Sequence, residues 1–249
     1  PLTLFPYTTL FRSEANETGA PHYEGAGQVL MALNLAMTVD LFGDAPFSQS
    51  FNFESITPAY DDDAELYSRV FGYLDSGIAN LSQESDLSMG ADDFIYGGDT
   101  EQWIKFANML KARYLNHLSK TGQYSPTEVL AAIDAGFDSN ADDAQVEYFE
   151  EARNPWFLLA LNNENLLLGG WISEQFVEAT DGTTFGVEDP RIGYMIGTTD
   201  DGDYVGVPNG AGRGSASEQG ERSTLVTGDF YTSETSPVLI ATYAEQKFI

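Results

Sequence analysis

Apolar residues recur at helical spacing through the first half of the chain. Leu30, Leu33, Met37 and Leu41 fall three and four apart, and Val29 and Ala36 widen the stripe. The pattern predicts a helix over 26–42, mostly buried because few charges interrupt it. Gly43 is placed to stop it, and Pro46 forbids continuation. A second helix is predicted to open at Thr57-Pro58, with Asp61, Asp62 and Asp63 in its first turn, where the helix dipole favours acids. Its stripe is Leu66, Val70, Leu74, Ile78 and Leu81. A third takes Thr100 as its cap, lines Trp103, Phe106, Leu110, Tyr114 and Leu118 on one face, and ends at Gly122. Ser125-Pro126-Thr127-Glu128 reads as a capping box opening a fourth helix that runs to about Phe137. Helices of this length with short connections predict antiparallel hairpins in a solenoid-like scaffold, without a strict 34-residue repeat.

The pattern changes after Asp138. Residues 173–179 read as a short helix, and "NPWFLLALNNENLLLGG" fits no single template. Residues 180–234 are rich in Gly, Asp, Ser and Thr and predict long loops with one hairpin around Tyr204. Loops of this length are functional or disordered. The tail "SPVLIATYAEQKFI" predicts the start of another apolar helix, partly exposed for want of a packing partner. The first residues, "PLTLFPYTTLFRS", lack the basic region and cleavage site of a secretory signal and resemble adapter read-through. Residues 1–13 are therefore read as a non-native leader and 14–249 as one partial domain, truncated at both ends.

Charge narrows the partners. The 249 residues carry 39 acids against 11 basic side chains, a formal charge of -28. Such a surface repels phosphate backbones and anionic lipid, so nucleic acid is not expected as a partner. Cysteine is absent, and the two histidines, His22 and His117, are far apart, so no metal site and no cofactor are expected. No run of about 20 apolar residues marks a membrane span. There is no Gly-x-Ser-x-Gly, phosphate-loop or His-Glu-x-x-His motif, so no catalytic residue is assigned. With 39 acids, a carboxylate pair beside a cleft carries no information about glycoside hydrolysis.

Four stretches in order carry a resemblance: "VDLFGDAPFSQSF", "DTEQWIKFANMLKARYLNHLS", "EDPRIGYMI" with "GDYVGVPNG", and "PVLIATYAEQKFI". Together they resemble the SusD/RagB family of surface glycan-binding lipoproteins of Bacteroidetes-type bacteria, over residues 23–249. The resemblance implies a mainly α fold, a TPR-like helix-hairpin scaffold with long loops and little β. It implies a non-catalytic protein on the extracellular face of the outer membrane. Such a protein binds a glycan or oligosaccharide, in some members a peptide, and delivers it to a SusC-like TonB-dependent transporter. The family's lipid anchor on an N-terminal cysteine has no counterpart here, so membrane attachment is expected only through an anchor missing from this chain. The other readings are a secreted glycoside hydrolase and a peptide-binding or helical interaction scaffold.

Sugar recognition needs flat apolar faces and planar polar groups. Trp156 after Asn154-Pro155, Trp171 after Gly169-Gly170, and Tyr204 in the Gly-rich loop supply the first; Asn154 and Arg191 supply the second. Each aromatic has a plainer alternative, closing a small core, and Arg191 in Asp189-Pro190-Arg191 has one too, tying down its own loop. Trp103 is assigned to the core. The turn after the first helix is read as structural: Gly43 in a left-handed cap, Asp40 and Asp44 accepting backbone N–H bonds, and Phe42, Phe47 and Phe51 stapled to the core. Two Asp-rich turns, at Asp138-Asn140-Asp142 and Asp200-Asp201-Asp203, lack the spacing of a calcium loop and are read as solvated turns or caps.

Overall fold

A computed structural model describes residues 15, 19–50, 56–164, 171–211 and 219–249. Phe51 of the first turn and most of "NENLLLGG" lie outside the described residues. The chain forms two compact units, Pro1–Gln145 with Leu239–Ile249, and Val146–Val238. Among the described residues the architecture is mainly α with one two-stranded sheet.

In the first unit, α1 (Pro21–Phe42) packs along α2 (Asp63–Leu81). Pro21 starts α1 at a position where a missing N–H is harmless. The two helices approach closely at Gly25 and Gly77. A Cβ on Gly25 would lie 2.9 Å from the Gly77 carbonyl oxygen, and one on Gly77 3.1 Å from that of Gly25. Ala26, Val29, Ala32, Ala36 and Val39 are buried, and so are Met31, Leu33 and Leu35, so α1 is enclosed on more than one side. Of the predicted stripe, Leu33 is buried and Leu30 partly so, but Met37 and Leu41 are exposed. A helix apolar on nearly every side gives periodicity no unique face to report. By length and composition α1 would also suit a membrane span, which the sequence reading missed. Most of its apolar window is buried in the fold, as in a core helix.

Helix α2 starts later than predicted. Asp62 is its N-cap, with Oδ1 accepting from the amides of Ala64 and Glu65 at 3.0 and 3.4 Å. Asp61 instead accepts from the amides of Phe47 and Ser48, at 2.9 and 2.6 Å; the Ser48 hydroxyl first, then these amides, hold its carboxyl below the usual carboxylate range. Leu66, Val70, Leu74 and Leu81 are buried as expected. Helix α3 (Thr100–His117) is capped by Asp99, not Thr100, and closes in a 3-10 turn over Leu118–Lys120, before Gly122. Trp103 is a core residue, its Nε1 donating to Asp93 at 2.7 Å. Ser125 caps α4 (Pro126–Asp134), which stops short of Phe137.

Strand β1 (Ala144–Val146) pairs with β2 (Val238–Ala241) where the chain leaves the first unit and returns. The tail is thus half strand: β-branched Val238 and Ile240 favour extension, and Thr242 then caps α8 (Tyr243–Phe248). The returning segment is anchored. Arg113 makes a bidentate pair with Glu245, at 2.5 and 2.6 Å, and donates to the Ile240 carbonyl at 3.0 Å. Buried Gln246 accepts from the Phe137 amide at 2.7 Å and donates to its carbonyl at 2.8 Å. Leu239 and Phe248 remain exposed, as predicted for this tail.

The second unit holds α5 (Pro155–Glu164), α6 (Glu174–Thr180) and the single turn α7 (Ile192–Met195). Its core is small: Ala160, Val177, Ile192, Ile196 and Leu225. Long connections cover it. Tyr204 does not sit in a hairpin. A tight turn at 199–203 precedes it, with the Thr199 amide donating to the Asp203 carbonyl at 2.8 Å and Gly202 at φ 91°. Successive Gly and Asp favour such a turn over strand pairing.

Candidate ligand-binding face

Asn154 builds the entrance to α5. Its Oδ1 accepts from the amides of Trp156 and Phe157 at 2.7 and 3.1 Å, the N-cap arrangement. Its Nδ2 donates to the Ser236 carbonyl at 2.7 Å, and its own amide to the Glu234 carbonyl at 2.9 Å. Both polar ends of the amide are used and the residue is wholly buried. The sequence reading placed Asn154 against a ligand. The structure withdraws that role and gives it another: it fixes the helix turn that carries Trp156.

Trp156 is 46% exposed and meets the Tyr231 ring edge to face, with centroids 6.1 Å apart. Tyr231 is locked from the other side, its hydroxyl donating to the Met195 carbonyl at 2.9 Å, and burial raises its pKa. Beside them Arg153 pairs with Glu234 at 2.8 Å and lies over the Phe157 ring. Phe230, next to Tyr231, is largely exposed. The result is a ledge of aromatic surface on a capped helix, bordered by a guanidinium–carboxylate pair. A sugar ring offers the complementary surfaces, C–H groups to a ring face and hydroxyls to planar ions.

Short α7 connects this ledge to two more candidates. Tyr231 reaches its last residue, while the Tyr204 hydroxyl abuts Gly193, where a Cβ would lie 3.5 Å away. Arg191 precedes its first residue. Four helical residues rise about 6 Å, so the points where Tyr204, Tyr231 and Arg191 meet α7 lie close together along it. Tyr204 is partly buried on the small core, the plainer of its two readings. The Arg191 side chain is exposed, but Asp189 engages it: Oδ1 accepts from Nε at 2.9 Å and Oδ2 from Nη2 at 2.7 Å. That pairing holds the Asp189 carboxyl down at about 2. Arg191 thus ties its loop, and its outer edge stays open to solvent.

Trp171 is half-buried. It precedes Ile172-Ser173, which runs parallel to the segment after Tyr204: Ser173 bridges Val207, and the Glu174 amide donates to the Val207 carbonyl at 2.9 Å. Close approach there requires Gly206, since a Cβ would meet the Glu174 backbone at 2.4 Å. Trp171 and Tyr204 therefore lie on adjacent segments. The sequence reading did not single out Tyr231, Phe230, Arg153 or Glu234. The signal was available: "GDFYTSETSP" places two aromatics in a Gly/Ser/Thr loop, the pattern that marked Tyr204.

The Asp-rich turns serve the backbone where partners are seen. Asp142 is buried in a capping box with Ser139, accepting from the amides of Asp138 and Ser139 and from Lys105 Nζ. Burial alone would raise its pKa, but those hydrogen bonds outweigh burial and lower it. In the first turn Asp44 accepts a backbone N–H, from Asp63 at 3.1 Å, as expected. Asp40 does not: its carboxylate takes the Tyr67 hydroxyl and His117 Nδ1. Gly43 has the expected positive φ, 71°, but with ψ -127° outside the left-handed helical well. Phe47 is buried, whereas Phe42 is exposed and staples nothing.

Comparison with known proteins agrees with this architecture. Residues 7–249 match the profile of the SusD-like family, described as starch-binding and associating with the outer membrane. No curated protein sequence matches the chain. A SusD/RagB family protein from Bacteroides thetaiotaomicron is 28% identical, with a TM-score of 0.77 over 97% of this chain and 51% of its own length. A SusD homologue from Bacteroides uniformis, 24% identical, gives 0.79 over 99% and 50%. A chitin-binding SusD homologue from Flavobacterium johnsoniae, 22% identical, gives 0.77 over 98% and 51%. The chain spans about half the length of these structures. With the profile matched over nearly its whole length, this chain belongs to the SusD-like family.

Proposed function

We propose that this chain captures glycans at the extracellular face of the outer membrane, without chemically altering them, and delivers them to a SusC-like TonB-dependent transporter. The observation that carries the glycan reading is the Trp156–Tyr231 ledge: half-exposed aromatic surface, held by the Asn154 cap and the Met195 carbonyl, beside the Arg153–Glu234 pair. Family membership supports the class of ligand and the location. The ligand role falls to Trp156, with Tyr204, Trp171 and Arg191 as further contacts. Asn154 acts only through the position of Trp156. Capture without chemistry matches the way the charged groups of this face are used. Arg191 and Asp189 satisfy each other, as do Arg153 and Glu234, which suits hydrogen bonding to hydroxyls better than proton transfer.

The test is titration of the chain with maltooligosaccharides and chitooligosaccharides, with product analysis on the same samples. Saturable binding, unchanged oligosaccharide and a loss of about tenfold or more in Trp156→Ala are expected, roughly 1.4 kcal/mol or above. Release of shorter products would favour the hydrolase reading. Capture of peptides with no glycan bound would favour the peptide reading.

A further inference from the structure

In the first unit, the C-terminal end of α1 carries features that the glycan reading leaves unused. Asp40 sits in the last turn of α1, where its charge opposes the helix dipole. Its carboxylate accepts from the Tyr67 hydroxyl and lies 3.0 Å from His117 Nδ1. These three side chains line a cavity of about 460 Å³, together with Asp63 and Gln123. Among the described residues no lysine or arginine lines it. Asp63 is exposed at the first position of α2, and one of its carboxylate oxygens lies within 4.8 Å of oxygens from Asp44 and Asp62. Those two neighbours are partly engaged in backbone capping, but the Asp63 carboxylate has no hydrogen-bond partner among the described residues. Around Asp40, α1 exposes apolar side chains: Met37, Leu41 and Phe42 are 52%, 72% and 77% accessible.

We propose that this end of the first unit is a docking site for a protein partner, which inserts an arginine or lysine side chain into the cavity against Asp40 and Asp63 and covers Leu41 and Phe42 with apolar residues. Charge complementarity selects the cation. The cavity presents two carboxylates and no basic residue, on a chain of net charge -28. Asp63 has free lone pairs, and a guanidinium or ammonium has donors and no acceptor, so neither is left unpaired. Exposed Leu41 and Phe42, which directly follow Asp40 on α1, select a protein over a small amine, which would fill the cavity and leave them in water. The site belongs to the first unit and the aromatic ledge to the second, and it does not rest on the glycan reading.

The experiment uses an acetylated Leu-Arg-Phe-Leu amide peptide and its citrulline analogue, followed by NMR at the His117 imidazole and the amides of residues 37–43. Saturable shifts confined to that region are expected with the arginine peptide, weakening in high salt. The citrulline peptide, Asp63→Asn and Phe42→Ser should each bind about tenfold more weakly or worse. Asp63 and Phe42 are exposed, so both variants should melt like the parent chain. Absence of saturable shifts at millimolar peptide overturns the proposal, as does equal affinity for arginine and citrulline or indifference to Asp63→Asn. Maltooligosaccharide titration of the same variants should be unchanged, which separates failure here from failure of the glycan reading.

Discussion

Replacing Asn154 with alanine should destabilise the second unit. Two losses combine. The N-cap to the amides of Trp156 and Phe157 disappears, worth about 0.5–2 kcal/mol. The partly buried Ser236 carbonyl also loses its donor, at roughly 1–3 kcal/mol. Together they predict about 1.5–5 kcal/mol, a large share of a typical stability of roughly 5–15 kcal/mol. The assay is equilibrium urea unfolding, paired with oligosaccharide titration under native conditions. Asn154→Asp sharpens it: the aspartate keeps the cap but turns a donor into an acceptor facing the Ser236 carbonyl, so it should not restore stability. Trp156→Ala should show the reverse balance, a small stability loss and a large affinity loss, because its ring is half-exposed. Alanine at 154 within about 0.5 kcal/mol of the parent, or full rescue by aspartate, would refute the assignment of Asn154 as a structural cap.

Three further outcomes are expected. Arg113→Ala should destabilise the first unit by about 2–4 kcal/mol, because it strands partly buried Glu245 and the Ile240 carbonyl; hydrogen exchange should quicken first over residues 238–249. Gly206→Ala should disrupt the approach of residues 205–207 to 172–174, since its Cβ meets backbone rather than a yielding side chain, and the resulting drop in melting temperature should come with weaker glycan binding. Asp142 has a lowered folded pKa, so its stabilisation is fully present above the unfolded carboxylate range near pH 4 and is lost as pH falls through that range and the lower folded value. Urea midpoints measured across that window should fall less steeply in Asp142→Asn, from a lower starting stability.

Helices with one clear apolar face were legible from the residues alone: Leu66, Val70 and Leu74 mark α2, and Trp103, Phe106 and Leu110 mark α3. Where α1 is apolar all round, periodicity names no single buried face, and the close Gly25–Gly77 approach to α2 is a contact that no single-helix pattern contains. Caps were misplaced by one residue or more where several candidates stood in a row, as with Asp61, Asp62 and Asp63, because Asp61 and Asp62 found different backbone partners and only Asp62 caps the helix. The tail was read as helix because its apolar run is short, and only pairing with β1 makes its first half a strand. At the candidate site, residue type pointed to Trp156 but not to its surroundings. Tyr231 lies 75 positions away, and the packing that joins the two rings is a tertiary fact. Asn154 was assigned to the ligand because an amide next to a tryptophan resembles a sugar contact; burial shows that both of its ends serve the backbone.

The most direct test of the account is calorimetric titration of the chain and of Trp156→Ala with a panel of oligosaccharides, with chromatography of the sugars afterwards. The account predicts saturable binding by the parent chain, intact sugars, and affinity lowered about tenfold or more in the variant whose fold is preserved. Cleaved sugars, or binding that does not change when the Trp156 ring is removed, would contradict it.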